Sequence, residues 1–166
     1  MKDALKDAVS AVWGFERQHG SMPGVIIIRG AQGTEKSTLA KELADFLWDG
    51  ARRPIVYETD TLHMIGDGGR YTWDRSTHLA ALRLAGTQAR LLNEKFGVPV
   101  VFPEVLGSLE EYNEAWPPAT NDTAVPYALV LRATGEYENM HGVPEEEVKE
   151  DRANMIDIPG EVTLRP

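Results

Sequence analysis

The stretch Val25-Ile26-Ile27-Ile28-Arg29-Gly30-Ala31-Gln32-Gly33-Thr34-Glu35-Lys36-Ser37-Thr38 decides the fold. Val25 to Ile28 is a continuous β-branched run with no polar alternation, which describes a strand buried on both faces. Glycines at 30 and 33 interrupt it, and Leu39, Leu43, Phe46 and Leu47 then recur at helical spacing. A buried strand, a glycine loop and an amphipathic helix in this order put the loop at a helix N-terminus, where backbone N–H groups and the helix dipole receive an anion. The spacing is that of the phosphate-binding loop: glycine, four residues, Gly-Lys, then Ser or Thr. Gly30, Lys36 and Ser37 fall on it. Gly30, Ala31, Gln32, Gly33, Thr34, Glu35, Lys36, Ser37 and Thr38 are therefore the candidate residues for binding ATP. Within them Lys36 is expected to bridge the outer phosphates and Ser37 to ligate Mg²⁺.

Glu35 departs from the pattern, standing where the loop ordinarily has glycine. Glycine there permits close backbone approach and positive φ. A glutamate turned to solvent costs little, whereas one turned to the phosphates meets like-charge repulsion of several kcal/mol at an effective dielectric of about 20. The sequence leaves both orientations open. It also leaves open the plainer reading of a strand-to-helix turn that holds no ligand.

Working outward, strands are expected near 25–29, 54–58, 99–103 and 126–131, the first of them central, with Pro99 at a strand start where no ladder donor is needed. A helix is expected over 3–17, with Leu5, Ala8, Val9, Val12 and Trp13 on one face, and a long one from about 74 to 95. Residues 113–125 read as a surface loop, 144–155 as a Glu-rich helix and 156–166 as a tail. Alternating strands and helices give a three-layer α/β fold with a parallel sheet, and a ligand site at the carboxyl ends of the strands.

With 166 residues, 42% of them hydrophobic and 26% charged, the chain is expected to form a single domain over 1–166. The absence of cysteine excludes disulfides, thiol chemistry and Cys-ligated zinc. No apolar run spans a bilayer and the first ten residues do not read as a secretory signal, so no membrane partner and a cytoplasmic location are expected. Residues 104–166 hold 4 Lys/Arg against 14 Asp/Glu within a chain of net charge −9. Such a segment repels a phosphate backbone and argues against tight non-specific binding to nucleic acid. No spacing among the four histidines suggests a metal cage.

Three further motifs accompany the loop. Glu58-Thr59-Asp60 ends the second strand and is followed by Met64, Asp67-Gly68 and Tyr71-Thr72-Trp73-Asp74; Val98-Pro99-Val100-Val101-Phe102 forms the third strand; Asn139-Met140-His141-Gly142-Val143-Pro144 comes late in the chain. In this order and spacing, over about residues 24–155, the sequence resembles the small P-loop kinases related to the kinase module of polynucleotide kinase, a family with bacterial and phage ATP-binding members. The resemblance implies a nucleoside-kinase-like fold and an ATP- and Mg²⁺-dependent phosphotransferase, in the host cytoplasm if phage-encoded. The acceptor it implies is a hydroxyl of a nucleotide, of a nucleic-acid 5′ end or of a modified base. Lys36 and Asp60 would be catalytic, Asp60 as the general base toward that hydroxyl, although Asp60 also suits a helix N-cap. Residues of about 133–145 would form the lid, and Tyr71 and Trp73 would be free to stack on a base or to pack.

The chain departs from that family in two places. Pro103-Glu104-Val105 stands where the family has Asp-Asn-Thr, leaving Glu104 as the acid available to an outer-shell Mg²⁺. Glu136-Tyr137-Glu138 stands where the lid carries cations, and Arg132 and Arg152 are the nearest arginines. Cations over the transferring group are a main source of rate. An active kinase, a degenerate relative serving as a nucleotide-binding or protein-interaction module, and a nucleoside triphosphate hydrolase all remain compatible with the sequence.

Overall fold

A computed structural model describes residues 2–31, 34–48, 53–59, 74–116, 128–134, 146, 149 and 153–166. Among the described residues, five strands form one sheet: β1 (Val25–Arg29), β2 (Ile55–Val56), β3 (Val100–Glu104), β4 (Ala128–Arg132) and β5 (Val162–Thr163). Their order is β2-β3-β1-β4-β5 and every pairing is parallel, so β1 is the central strand. Among the described residues, the helices α1 (Asp3–His19), α2 (Lys36–Leu47), α3 (Arg75–Phe96) and α4 (Leu109–Ala115) accompany them.

The β-branched run does what its composition demands. Val25, Ile26, Ile27 and Ile28 have no solvent exposure. Ile26 and Ile28 pack with Leu5, Val9, Val12, Leu39 and Leu43 of α1 and α2. Val25 and Ile27 point to the opposite face, among Leu82, Ala85 and Ala89 of α3 and Ala115 of α4. The period of two along β1 thus divides the core between two helical layers, each such side chain contributing about 1.5–3 kcal/mol. The three-layer α/β architecture with a central first strand follows. Among the described residues, no helix is long and apolar enough to cross a membrane.

Several boundaries differ from expectation for identifiable reasons. β2 covers only Ile55–Val56 rather than 54–58. Ile55 and Tyr57 donate to the Pro99 and Val101 carbonyls, so the next return bond toward β2 would have to come from the nitrogen of Pro103. Proline has no N–H, and the ladder stops. The β1-facing side of β3 is carried by residues such as Val100, which donates to the Gly24 carbonyl. Asn113, Glu114 and Ala115 are helical rather than loop. Ser108 and Glu111 form a complete capping box that starts α4, a Ser-x-x-Glu signature visible in the sequence. Trp13 and Phe46 are about half exposed rather than core. The segment expected to be a tail supplies β5 beside β4, and its Leu164 is 1% exposed.

Candidate functional site

The loop between β1 and α2 closes on one carbonyl. Ala31 O accepts from Lys36 Nζ at 2.8 Å, from Thr34 Oγ1 at 2.9 Å and from Thr34 N at 3.4 Å. Gly30 allows this closure because an added Cβ would lie 2.6 Å from the Ala133 carbonyl oxygen and 2.7 Å from Thr34 Oγ1. Gln32 and Gly33 lie outside the described residues.

Glu35 occupies the N-cap of α2 at φ 55° and ψ 26°, in the left-handed region. That is the conformation glycine adopts without penalty and an L-residue adopts at about 1–2 kcal/mol. The departure from the glycine pattern therefore keeps the backbone shape. Of the two orientations left open by the sequence, the side chain takes the solvent-facing one, with Oε2 2.8 Å from Lys2 Nζ. Its carboxylate makes no cap to the helix. Leu39 N donates to the Glu35 carbonyl, closing the first turn, and Ser37 and Thr38 are exposed beside the loop. The positive pole of α2 thus opens at the end of the central strand without a side-chain cap, whereas α3 and α4 are capped by Asp74 and Ser108.

The neighbouring strand end supplies an acid. Glu104 lies level with Arg29 across the β1–β3 pairing and is 9% exposed. Its Oε1 accepts from Val105 N at 2.9 Å and its Oε2 accepts from the buried Thr59 hydroxyl. Lys36, Ser37 and Glu104 accordingly belong to the same, carboxyl edge of the sheet. Asp60 follows Thr59 in the chain but lies outside the described residues, as do Tyr71, Trp73 and the motif at 139–144. Glu58 faces Lys41 of α2 at 3.7 Å.

Sequence reasoning missed Arg29 at the end of β1 and did not foresee the partners of Arg132 at the end of β4. Arg29 is wholly buried and binds Glu161, and Arg132 binds Asp157 and Glu161, so Arg132 is engaged with the C-terminal segment. An arginine ending an otherwise apolar strand was the available signal, since a buried guanidinium demands an acceptor. Burial pushes the nearby Tyr112 phenol above its ordinary value, and Arg29 pulls against that shift. The acidity of the last third is partly spent on such contacts: Glu110, Glu111 and Glu114 of α4 face Arg75, His78 and Arg83 of α3. A groove of about 570 Å³ between α2 and β2, walled by Lys41, Asp45, Arg53 and Ile55, includes none of the phosphate-loop residues and is not the candidate site.

No family model matches the chain. It is 27% identical over 157 residues to an uncharacterised protein of Pasteurella multocida, across 87% of this chain and 84% of that one. In structure it is similar to an unliganded sugar kinase from Janibacter sp., with a TM-score of 0.56 at 15% identity over 84% of this chain and 82% of the other. At that identity the likeness is one of fold, and the chain has a kinase-like α/β fold.

Proposed function

We propose that this chain is an ATP-dependent phosphotransferase that moves the γ-phosphoryl group to a hydroxyl of a nucleotide, a nucleic-acid 5′ end or a modified base. The observation that carries the reading is the loop after β1, where Lys36 Nζ folds onto the Ala31 carbonyl in front of an uncapped helix N-terminus. A phosphate oxygen would take the place of that carbonyl as the partner of Lys36, while backbone N–H groups take the remaining charge. Lys36 then stabilises the charge that spreads over the transferring group, and Asp60 takes the proton of the acceptor hydroxyl as the new O–P bond forms and the bond from the γ-phosphorus to the bridging oxygen breaks, with ADP leaving. The kinase-like fold of the Janibacter protein supports phosphoryl transfer in general.

Mg²⁺ fits the donors available. Among the described residues no three acidic or histidine side chains gather into a cage, which suits an ion held by one hydroxyl and the nucleotide's own oxygens. Ser37 would hold it directly, and Glu104 through water on the lone pairs that Thr59 and Val105 leave free. When bound, the ion neutralises phosphate charge.

A second reading, a nucleotide-binding module without turnover, is favoured by one observation. Arg132 is committed to Asp157 and Glu161 rather than free to reach a phosphoryl group. Calorimetric titration with ATP and Mg²⁺, followed by transfer assays on a nucleoside, a 5′-hydroxyl oligonucleotide and a sugar, separates the two. The kinase reading expects binding that Lys36→Met weakens and transfer that Asp60→Asn abolishes with ATP affinity retained. Binding without transfer to any hydroxyl acceptor favours the module, and absence of binding refutes both.

A further inference from the structure

We propose that Arg29 and Glu161 are a positioning pair that holds the phosphate loop in its binding conformation, so that nucleotide affinity depends on the docked C-terminal strand. The proposal rests on the reading of that loop as a nucleotide site and extends it to residues far away in sequence.

Arg29 ends β1, directly before Gly30, and has no exposure. Its Nε donates to the Leu106 carbonyl at 3.2 Å, its Nη1 to Glu161 Oε2 at 2.5 Å and its Nη2 to the Ile156 carbonyl at 2.7 Å. One side chain therefore joins the root of the loop, the segment that follows β3 and the C-terminal segment. The backbone makes the same junction. Gly30 N donates to the Val105 carbonyl at 3.4 Å, Ala133 N to the Arg29 carbonyl at 2.8 Å and Ile156 N to the Gly107 carbonyl at 3.2 Å. The C-terminal segment is itself pinned, with Leu164 N on the Arg132 carbonyl at 2.9 Å and Thr134 Oγ1 on the Leu164 carbonyl at 2.7 Å.

A guanidinium keeps its proton throughout the accessible pH range, so a buried one must keep its acceptors or move to water. Without the Glu161 carboxylate, Arg29 retains only neutral carbonyl partners for a full charge. Turning toward solvent rotates the end of β1 and carries Gly30 with it. Gly30 has no room for that movement, because the space beside its Cα is already filled by the Ala133 carbonyl and the Thr34 hydroxyl. The displacement consequently reaches the turn that presents Ala31 O to Lys36. Arg132 already ties Glu161 and Asp157 to the end of β4; the second arginine comes from the root of the loop, where it couples the two segments.

The test compares Glu161→Gln with Asp157→Asn, a control that removes an exposed partner of Arg132 and leaves Arg29 untouched. Amide hydrogen exchange is followed at Gly30, Ala31, Thr34 and Glu35 and over 156–164, beside calorimetric titration with ATP and Mg²⁺. Expected for Glu161→Gln is exchange faster in both segments and ATP binding weaker by roughly tenfold, within the usual range of coupling between sites. Asp157→Asn should stay within about twofold of the unmodified chain, the scale of a surface ion pair. If Glu161→Gln does not fold by circular dichroism, Glu161→Asp keeps the charge, withdraws it by one methylene and should show the same response in milder form. Faster exchange confined to 156–164, with loop exchange and ATP affinity unchanged, overturns the proposal and leaves the pair a latch for the tail. If the unmodified chain binds no ATP, the nucleotide reading falls, while the loop's exchange response alone still decides the coupling.

Discussion

Replacing Glu35 by glycine tests both the backbone and the charge at the one position where the loop leaves its pattern. Glu35 is held at φ 55° and ψ 26°, which costs an L-residue about 1–2 kcal/mol. Glycine removes that cost but adds about 0.4–1 kcal/mol of unfolded-chain entropy, and it gives up the exposed ion pair to Lys2, which contributes little at a surface. The balance is roughly 0–1 kcal/mol in favour of glycine, a rise in melting midpoint of no more than about 2–4 °C. Glu35→Ala is the sharper comparison, because it also loses the ion pair yet keeps the Cβ. Thermal and urea unfolding should place the glycine variant above the alanine variant by about 0.5–1 kcal/mol, the backbone terms alone. Glu35→Gln isolates the charge. With the carboxylate turned out to Lys2, a unit charge about 10 Å away through water is worth roughly 0.4 kcal/mol, so ATP affinity should move by about twofold or less. Alanine as stable as glycine would refute the left-handed strain. A tenfold gain in affinity with glutamine would show that the carboxylate acts on the phosphates after all.

Lys36→Met should weaken ATP binding by roughly ten- to a hundredfold, the loss of a charged hydrogen-bond donor of about 1.5–3 kcal/mol, and calorimetry reads it; an unchanged affinity would remove Lys36 from the site. Gly30→Ala should destabilise by about 1–3 kcal/mol in urea unfolding, since its Cβ would meet the Ala133 carbonyl at 2.6 Å. Gly86→Ala should cost at least as much, because its Cβ would fall 1.8 Å from the Ala115 carbonyl and force α4 away from α3; a midpoint equal to that of the unmodified chain would contradict this packing. Hydrogen bonds from Arg165 hold the Asp7 carboxyl down from 3.8 to about 2. A folded value below the unfolded one stabilises above 3.8 and is lost as the pH falls through about 2. Amide protection at Leu164 and Arg165 should therefore fall over that window, and more gently in Asp7→Asn, where the carboxylate contribution is already absent.

The sequence by itself determined the parts whose causes are local. The β-branched run at 25–28 announced a strand buried on both faces, and the spacing from Gly30 to Ser37 announced the strand–loop–helix unit, because each is written in adjacent residues. Helical periodicity placed α1, α2 and α3 for the same reason, and Ser108-x-x-Glu111 carried a start for α4 that composition alone hid. The tertiary structure decided what depends on distant partners. Pro103 shortens β2, a strand more than forty residues earlier, because the missing donor matters only once the two strands lie side by side. Glu35 turns outward beside Lys2 at the start of α1, 33 residues away, a neighbour that only the folded chain supplies. Arg29 meets Glu161 across 132 residues, and β5 exists because Leu164 and Glu161 find a core and a cation there. A short segment such as 161–164 has too few residues to show a period, and a charged side chain says nothing of its partner. Its burial becomes favourable only after the chain has brought the opposite charge to it.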